Sequence, residues 1–248
     1  MTELLLLVVA GVAAGALNAV GGGGTFVALP VLVAAGIPPV TANASSTVAL
    51  LPGALAAAFT YRRELVPVGP VALPVLTVAS LLGGALGAGL LLALPSASFD
   101  AVLPWLLAFA TLVLALRTPL TRLGRGRRLG PVPLVVGQFV LAVYGGYFGG
   151  AVGIMLLAFW SLGTGLDAAT GNPVRVAQLG AINAVAAGIF LVAADVTRHP
   201  APVLGLVVGA MVGGLVGARV GRRLSARTLR AIVLTTAATM TVIYTVQA

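Results

Sequence analysis

Long apolar stretches alternate with short polar ones along the chain, and this pattern predicts a series of membrane-spanning helices. Several of the apolar stretches exceed the roughly 18–20 residues that a helix needs to cross a bilayer. They are continuous rather than alternating, which argues against a transmembrane β-barrel. We predict full spans over residues 41–61, 66–94, 101–116, 172–194, 203–218 and 231–248.

Two glycine-rich segments interrupt the remaining apolar sequence. The first is the four-glycine run 21–24, which lies inside an apolar stretch from Leu4 to Ala35. The second is the cluster 145–153, which is followed by a short apolar piece over residues 154–162. Backbone that leaves a helix at membrane depth is tolerated only where it is buried in protein or lines a cavity. We therefore interpret each segment as a broken membrane helix and as half of a binding site.

The two halves of the chain share a spacing of glycine and polar residues that indicates an internal duplication. A shift of 129 residues, without gaps, gives the matches Gly21/Gly150, Gly24/Gly153, Thr41/Thr170 and Asn43/Asn172. Secondary transporters are commonly built from such repeats. We predict a first repeat over residues 1–116, a basic linker over residues 117–131 and a second repeat over residues 132–248.

The distribution of basic residues predicts the topology of these repeats. The fourteen basic residues are all arginine, and most lie in residues 62–64, 117–128 and 219–230. The positive-inside rule places these loops in the cytoplasm. The loops over residues 117–128 and 219–230 share one side only if the second broken helix enters and leaves the membrane on the same side, as a hairpin. The same logic applied to residues 2–36 predicts a first hairpin.

The predicted fold is an all-α polytopic protein of the cell inner membrane. It has two inverted repeats, each a broken re-entrant helical hairpin plus three transmembrane helices. Both termini are predicted on the outer side and the linker 117–131 in the cytoplasm.

Composition excludes several classes of function. The chain is 60% hydrophobic and 8% charged, whereas a soluble domain carries roughly 25% charged residues. The net charge of +9 therefore reflects membrane topology rather than nucleic-acid binding. The chain has no cysteine, and its one histidine and five acidic residues form no cluster, so we predict no metal site, no cofactor and no enzymatic activity. It also has no G-x-x-x-x-G-K-[ST] motif, which argues against an ATP-driven pump.

The two breaks are predicted to meet near the bilayer midplane and to bind an anion. Half-helices that start after each break would point free N–H groups and a positive dipole end at it. Glycine also lets a ligand approach the backbone closely. The alternative is close helix packing, which we prefer for the glycines at 83, 84, 87, 213, 214 and 217. The predicted substrate-lining residues of the breaks are Asn18, Gly21, Gly22, Gly23, Gly24, Thr25, Gly149, Gly150 and Gly153.

Polar residues in the span after each hairpin are further candidates, because such residues are costly inside a bilayer and are functional candidates by default. Asn172 and Arg175 are spaced to share one helix face. Two alternatives are that Arg175 snorkels to the membrane surface and that the Ser/Thr side chains only form helix-to-helix hydrogen bonds. The additional substrate-binding candidates are Asn43, Ser45, Ser46, Thr47, Asn172, Arg175, Gln178 and Asn183.

These motifs resemble the TauE/SafE-type sulfite exporters, also called the TSUP family. In the first half the resemblance rests on Gly15, Asn18, Gly22–Gly24 and Pro30. In the second half it rests on the run G-G-Y-F-G-x-x-x-G-I-M-L-L-A from Gly145 to Ala158 and on Asn172-Pro173-Val174-Arg175. The chain departs from the family pattern in having Arg175 where Lys is usual, and in lacking a second run of adjacent glycines. The resemblance implies proton-coupled export of small sulfur-containing anions, such as sulfite or organosulfonates.

The residues themselves support a secondary transporter with an anion-suited midplane site, and two other functions stay open. One is a passive anion channel on the same scaffold, and the other is a non-transporting membrane subunit. An intramembrane enzyme is disfavoured because no paired ionisable groups lie at the midplane. The expected partners are a small anionic sulfur-containing substrate and the lipid bilayer; a homodimer is left open, and no nucleic acid is expected.

Overall fold

The described part of the protein is built from α-helices, as the apolar pattern predicts. The computed structural model describes residues 2–99, 101–106, 108–109, 112, 128–198, 200–221 and 235. Its bounded helices are α1 (Thr2–Gly21), α2 (Thr25–Ala34), α3 (Pro39–Tyr61), α4 (Leu73–Ala93), α5 (Pro131–Tyr147), α6 (Val152–Thr164), α7 (Ala168–Ala193) and α8 (Pro200–Gly221), with a 3-10 turn at Asp195–Arg198. Residues 96–99 and 101–106 are also helical.

Four of these helices are long and apolar enough to cross a membrane: α3, α4, α7 and α8. They correspond to four of the six predicted spans. The predicted span 101–116 is described only in part, and the span 231–248 lies outside the described residues except for Thr235. The shorter apolar helices α1, α2, α5 and α6 belong to the two predicted hairpins.

The predicted start of the span at residue 66 is wrong, because α4 begins at Leu73. The residues before it form a turn in which Val68 and Val71 exchange backbone hydrogen bonds at 3.2 and 3.1 Å. Pro67 and Pro70 lack an N–H group and disfavour helical backbone in the residue before them. These two prolines therefore keep the turn out of the helix.

Residues 163–171 separate the apolar piece 154–162 from the predicted span 172–194, and most of them are helical rather than part of a connecting loop. α6 continues to Thr164 and α7 already begins at Ala168. Asp167 caps α7, since its carboxylate accepts hydrogen bonds from the N–H groups of Ala169 and Thr170 at 3.0 and 3.1 Å. A hydrogen bond from the Thr170 side chain, reinforced by these backbone bonds, lowers the pKa of Asp167.

The second broken helix is an antiparallel hairpin of α5 and α6. The N–H group of Leu129, just before α5, donates to the carbonyl of Gly163 near the end of α6 at 2.7 Å. Further along, Nε1 of Trp160 donates to Oε1 of Gln138 at 3.1 Å. The start of α5 therefore lies beside the end of α6, and the chain reverses between them.

The first broken helix folds back in the same way. A methyl group at Gly24 would lie 2.5 Å from the carbonyl oxygen of Ala14. In a continuous helix these positions would be about 15 Å apart along the axis. The chain therefore reverses between α1 and α2. The hairpin shape predicted at both glycine segments is confirmed, whereas entry and exit on one side of the membrane stays a prediction.

The major helix contacts come in matching pairs. α1 packs along α8, and α5 packs along α4. α3 and α7 pack on each other, while α3 also contacts α8 and α7 also contacts α4. If α1–α4 are exchanged with α5–α8, the contact between α3 and α7 maps onto itself and the other four contacts map onto each other in two pairs.

Small residues bring these helices together, which confirms the packing role predicted for the glycines of α4 and α8. A methyl group at Gly83 would lie 2.6 Å from the carbonyl oxygen of Phe139 on α5, and one at Gly217 would lie 2.6 Å from Cα of Ala16 on α1. The same close approach to a neighbouring helix occurs at Gly84, Gly87, Gly213 and Gly214. Without side chains in the way, the helix backbones approach closely.

Candidate functional site

The two glycine breaks meet inside the protein, as predicted. A methyl group at Gly22 would lie 3.1 Å from Cα of Gly153. Phe26 and Phe148, one from each break, pack edge to face with their ring centroids 6.4 Å apart. The tips of the two hairpins are therefore in direct contact.

Left-handed backbone conformations turn the chain at each break. Gly22 has φ 73° and Gly149 has φ 80°, a region that glycine adopts at little cost. Ala151 reaches φ 60° at the N-terminal cap of α6, where a residue with a Cβ atom is strained. After these turns, α2 and α6 begin with N–H groups that have no intrahelical acceptor and with the positive ends of their dipoles.

Arg175 lies at the junction of the two breaks. Its side chain is fully buried, with 0% of its surface exposed. A methyl group would lie 2.8 Å from Nη1 of Arg175 if placed at Gly153, and 3.2 Å from it if placed at Gly22. The guanidinium therefore lies against the backbone of both breaks. A snorkelling arginine would expose its guanidinium at the membrane surface, so this alternative is wrong.

The Arg175 guanidinium is oriented by hydrogen bonds that it donates to acceptors on two helices. Nε donates to Oδ1 of Asn172 at 3.0 Å, which confirms that these residues share a face of α7. Nη2 donates to the carbonyl oxygen of Ala19 at 3.0 Å. Ala19 lies in the last turn of α1, where carbonyl groups lack intrahelical donors. Arg175 therefore caps the first broken helix from a position on the second half of the chain.

Asn43 makes the equivalent contact at the end of the other broken helix. Its Nδ2 donates to the carbonyl oxygen of Tyr147, the last residue of α5, at 2.9 Å. Its Oδ1 is buried and has no hydrogen-bond donor among the described residues, and the same holds for Oγ of Ser45. Buried polar atoms in proteins are nearly always hydrogen-bonded to protein or to ordered water. Both atoms therefore have hydrogen-bonding capacity to offer a bound molecule.

Two other polar candidates of α3 are directed to their own helix. Oγ of Ser46 and Oγ1 of Thr47 donate to the carbonyl oxygen of Asn43 at 2.8 and 3.2 Å. Both hydroxyls thus donate within α3. These two bonds neither reach a substrate site nor connect α3 to another helix, which were the two roles considered for them. Asn18 is buried beside Gly24, at the end of α1, and Asn183 is buried in α7.

The glycines and Thr25 fill different places around the break. A methyl group at Gly149 would lie 3.3 Å from Oγ1 of Thr25, so these two residues face each other across the junction. Gly150 packs against the ring of Phe148. Gly23 accepts a backbone hydrogen bond from Phe26 at 3.1 Å. Gly22 and Gly153 therefore lie against the Arg175 guanidinium, and Gly21 is the last residue of α1.

Gln178 belongs to a buried polar network of α4, α5, α6 and α7. Its Nε2 donates to Oγ1 of Thr77 at 3.1 Å, and its Oε1 accepts from Oγ of Ser80 at 2.9 Å. Gln138 and Trp160 continue this network on the second hairpin. Of these residues, only Gln178 was among the sequence candidates. The signal that marks Gln138 and Ser80 is a polar side chain inside an apolar stretch.

The chain matches one known protein family along nearly its whole length. The family model described as Sulfite exporter TauE/SafE matches residues 7–244. A search of curated proteins found no match. A search of solved structures also found none. The family match includes both glycine breaks and Arg175.

Proposed function

Because the chain belongs to the sulfite exporter TauE/SafE family, we propose that this multi-pass membrane protein exports small sulfur-containing anions, such as sulfite or organosulfonates. The observation that carries the proposal is the fully buried Arg175 side chain, which lies against both glycine breaks. The family is one of transporters, and the described residues contain no group of three or more His, Cys, Asp and Glu side chains that could hold a metal ion.

The donors around Arg175 suit a compact oxyanion. A guanidinium offers several N–H donors in one plane and keeps its charge at any physiological pH. The first turns of α2 and α6 add backbone N–H groups and positive dipole ends at the same junction. Charge-assisted hydrogen bonds to an anion are roughly twice as strong as neutral ones.

The narrow junction favours a small substrate. Even a single methyl group at Gly153 would come within 2.8 Å of Nη1. The glycine backbone therefore leaves little room beside the guanidinium, which favours a compact oxyanion such as sulfite over a larger ligand. An organosulfonate would place its sulfonate group at the same point and its organic part further from Arg175.

The proposed mechanism is alternating access by two inverted repeats, with the hairpins gating the site. The matching contacts of α1 with α8 and of α5 with α4 support this relation between the halves. In the proposal, the protein lies in the inner membrane with both termini outside, and export is coupled to the proton gradient. A shared anion site at the meeting point of two repeats is typical of such transporters.

The direct test is uptake of sulfite by proteoliposomes that contain the purified protein. An imposed proton gradient should drive sulfite accumulation above the outside concentration. Collapse of the gradient by a protonophore should abolish that accumulation. Equilibration without accumulation would indicate a passive channel, and the absence of any flux would indicate a non-transporting subunit. Either result would reject the proposed transporter.

A further inference from the structure

A chain of side-chain hydrogen bonds connects the second hairpin with the helix that carries Arg175. It starts on α6, where Nε1 of Trp160 donates to Oε1 of Gln138 on α5 at 3.1 Å. Nε2 of Gln138 donates to Oγ of Ser80 on α4 at 2.7 Å, and Oγ of Ser80 donates to Oε1 of Gln178 on α7 at 2.9 Å. Nε2 of Gln178 then donates to Oγ1 of Thr77 on α4 at 3.1 Å.

Each hydrogen bond of this chain runs in the same direction, and each connecting residue both accepts and donates. Trp160, Gln138 and Ser80 are fully buried, and Gln178 is 2% exposed. In a low-dielectric interior such bonds are stronger than in water, and a group that loses its partner is costly to leave unsatisfied. The network therefore resists separation of the helices that it joins.

The first half of the chain has no equivalent at the corresponding positions. The shift of 129 residues takes Gln138 to Val9 and Gln178 to Ala49. Neither valine nor alanine can continue a side-chain hydrogen-bond chain. The network thus belongs to the second hairpin and its neighbours, and it breaks the similarity of the two repeats.

The network includes a residue that lies about one helical turn from Arg175. Gln178 follows Arg175 by three residues on α7, and Gly153 at the start of α6 lies against the Arg175 guanidinium. Joining α6 and α5 to α4 and α7 therefore fixes the place of the second break relative to Arg175. We propose that Gln138 is a positioning residue for anion binding, because its side chain is hydrogen-bonded both to Trp160 of the hairpin and to Ser80 of the scaffold helix α4. This inference rests on the proposed function of the Arg175 site.

The test compares a single and a double variant, with sulfite as the probe. Gln138→Leu removes the link and leaves the buried Trp160 N–H group without an acceptor, so both sulfite affinity and thermal stability should fall. Adding Trp160→Phe removes that orphaned donor and should restore much of the melting temperature. If Gln138 positions the second break, the double variant still binds sulfite about tenfold more weakly than the wild type, since a loss of preorganisation lowers affinity.

Recovery of affinity together with stability in the double variant would overturn the inference, because Gln138 would then act only on folding. Thr60→Val is the control, since it removes only an exposed intrahelical hydrogen bond of α3 and should leave sulfite affinity unchanged.

A second measurement needs no substrate and therefore separates this inference from the proposed function. Amide hydrogen exchange in the double variant should accelerate over Val152–Thr164 of α6 and stay unchanged over Thr25–Ala34 of α2. If the wild type does not bind sulfite, the proposed function is rejected. The hydrogen-exchange measurement still tests whether Gln138 holds α6 in place, because it uses no substrate. Unchanged exchange in α6 would reject the positioning role.

Discussion

Arg175 donates from Nη2 to the carbonyl oxygen of Ala19 at 3.0 Å, so the second half of the chain caps the broken helix of the first half. Asn43 of the first half caps the broken helix of the second half in return, through Tyr147. The backbone shape of each break therefore depends on a side chain from the other half. An anion that interacts with Arg175 would act on both halves at once.

The size of the side chain at Gly153 should control anion binding. Gly153→Ala would place a methyl group 2.8 Å from Nη1 of Arg175, so the guanidinium must move away from the junction. We expect sulfite affinity, measured by isothermal titration calorimetry, to fall about tenfold or more.

Gly188→Ala is the matched control for this substitution. Gly188 lies within α7 and has open space around it, so alanine should leave affinity unchanged and stabilise the helix by about 0.5–1 kcal/mol. Equal sulfite affinity in Gly153→Ala and Gly188→Ala would contradict the placement of the anion at the guanidinium.

The cap that Asn43 provides should contribute to stability. Asn43→Leu keeps a similar volume but removes the donor to the Tyr147 carbonyl. Loss of the bond to that partly buried carbonyl should lower the free energy of unfolding by about 0.5–1.5 kcal/mol. Thermal unfolding in detergent measures this loss. A melting temperature equal to that of the wild type would show that the contact contributes nothing.

Asp167 should make stability depend on pH in the acidic range. Its pKa is lowered in the folded protein, chiefly by the hydrogen bond from the Thr170 side chain. The stabilisation is therefore present above the unfolded-state pKa of about 3.9 and is lost as pH falls through the lower folded-state pKa.

The contribution of the Asp167 carboxylate to stability can be measured by comparing the melting temperatures of the wild type and two Asp167 variants as pH falls. At neutral pH Asp167→Ala should melt below the wild type, and the gap in melting temperature should narrow on acidification. Asp167→Asn should keep the cap without this pH dependence, because asparagine is an equally good N-terminal cap. A gap between Asp167→Ala and the wild type that is as large at the lowest pH as at neutral pH would contradict the role of the carboxylate.

The chain has no cysteine, which allows a direct test of the predicted topology. Arg63 and Asp195 are both exposed and lie in different predicted compartments. In intact cells, a membrane-impermeant maleimide should label Asp195→Cys on the outer side and should not label Arg63→Cys. Labelling of Arg63→Cys without prior lysis would reject the cytoplasmic placement of the loop over residues 62–64.

The hydrophobic pattern was sufficient to predict the described helices, because burial of apolar surface acts over short stretches of sequence. The two reversals followed from the glycine breaks together with the basic loops. Helix ends were less predictable. Pro67 and Pro70 delay the start of α4, and the Asp167 cap advances the start of α7. Both effects depend on one or two residues, which an average over an apolar stretch does not detect.

The sequence indicated which residues are candidates for the site, but it did not indicate which atoms they contact. Arg175 stood out as a charge within a predicted span, yet its acceptor at Ala19 is a backbone carbonyl 156 residues away. Ser46 and Thr47 have the residue types of ligands, but in a helix their hydroxyls reach their own backbone. The hydrogen bonds of Gln178 to Thr77 and Ser80 depend on the packing of α7 against α4, which the sequence pattern does not give.

The most direct test of the anion site is sulfite binding to purified Arg175→Ala, measured by calorimetry beside the wild type. Arg175→Lys keeps the charge but loses the planar set of donors, so it should bind more weakly than the wild type. Arg198→Ala is the control, because Arg198 is exposed and pairs with Asp195 in a surface turn. We predict that Arg175→Ala elutes as a folded protein and binds no sulfite, while Arg198→Ala binds it as the wild type does. Sulfite binding by folded Arg175→Ala with unchanged affinity would contradict the proposed site.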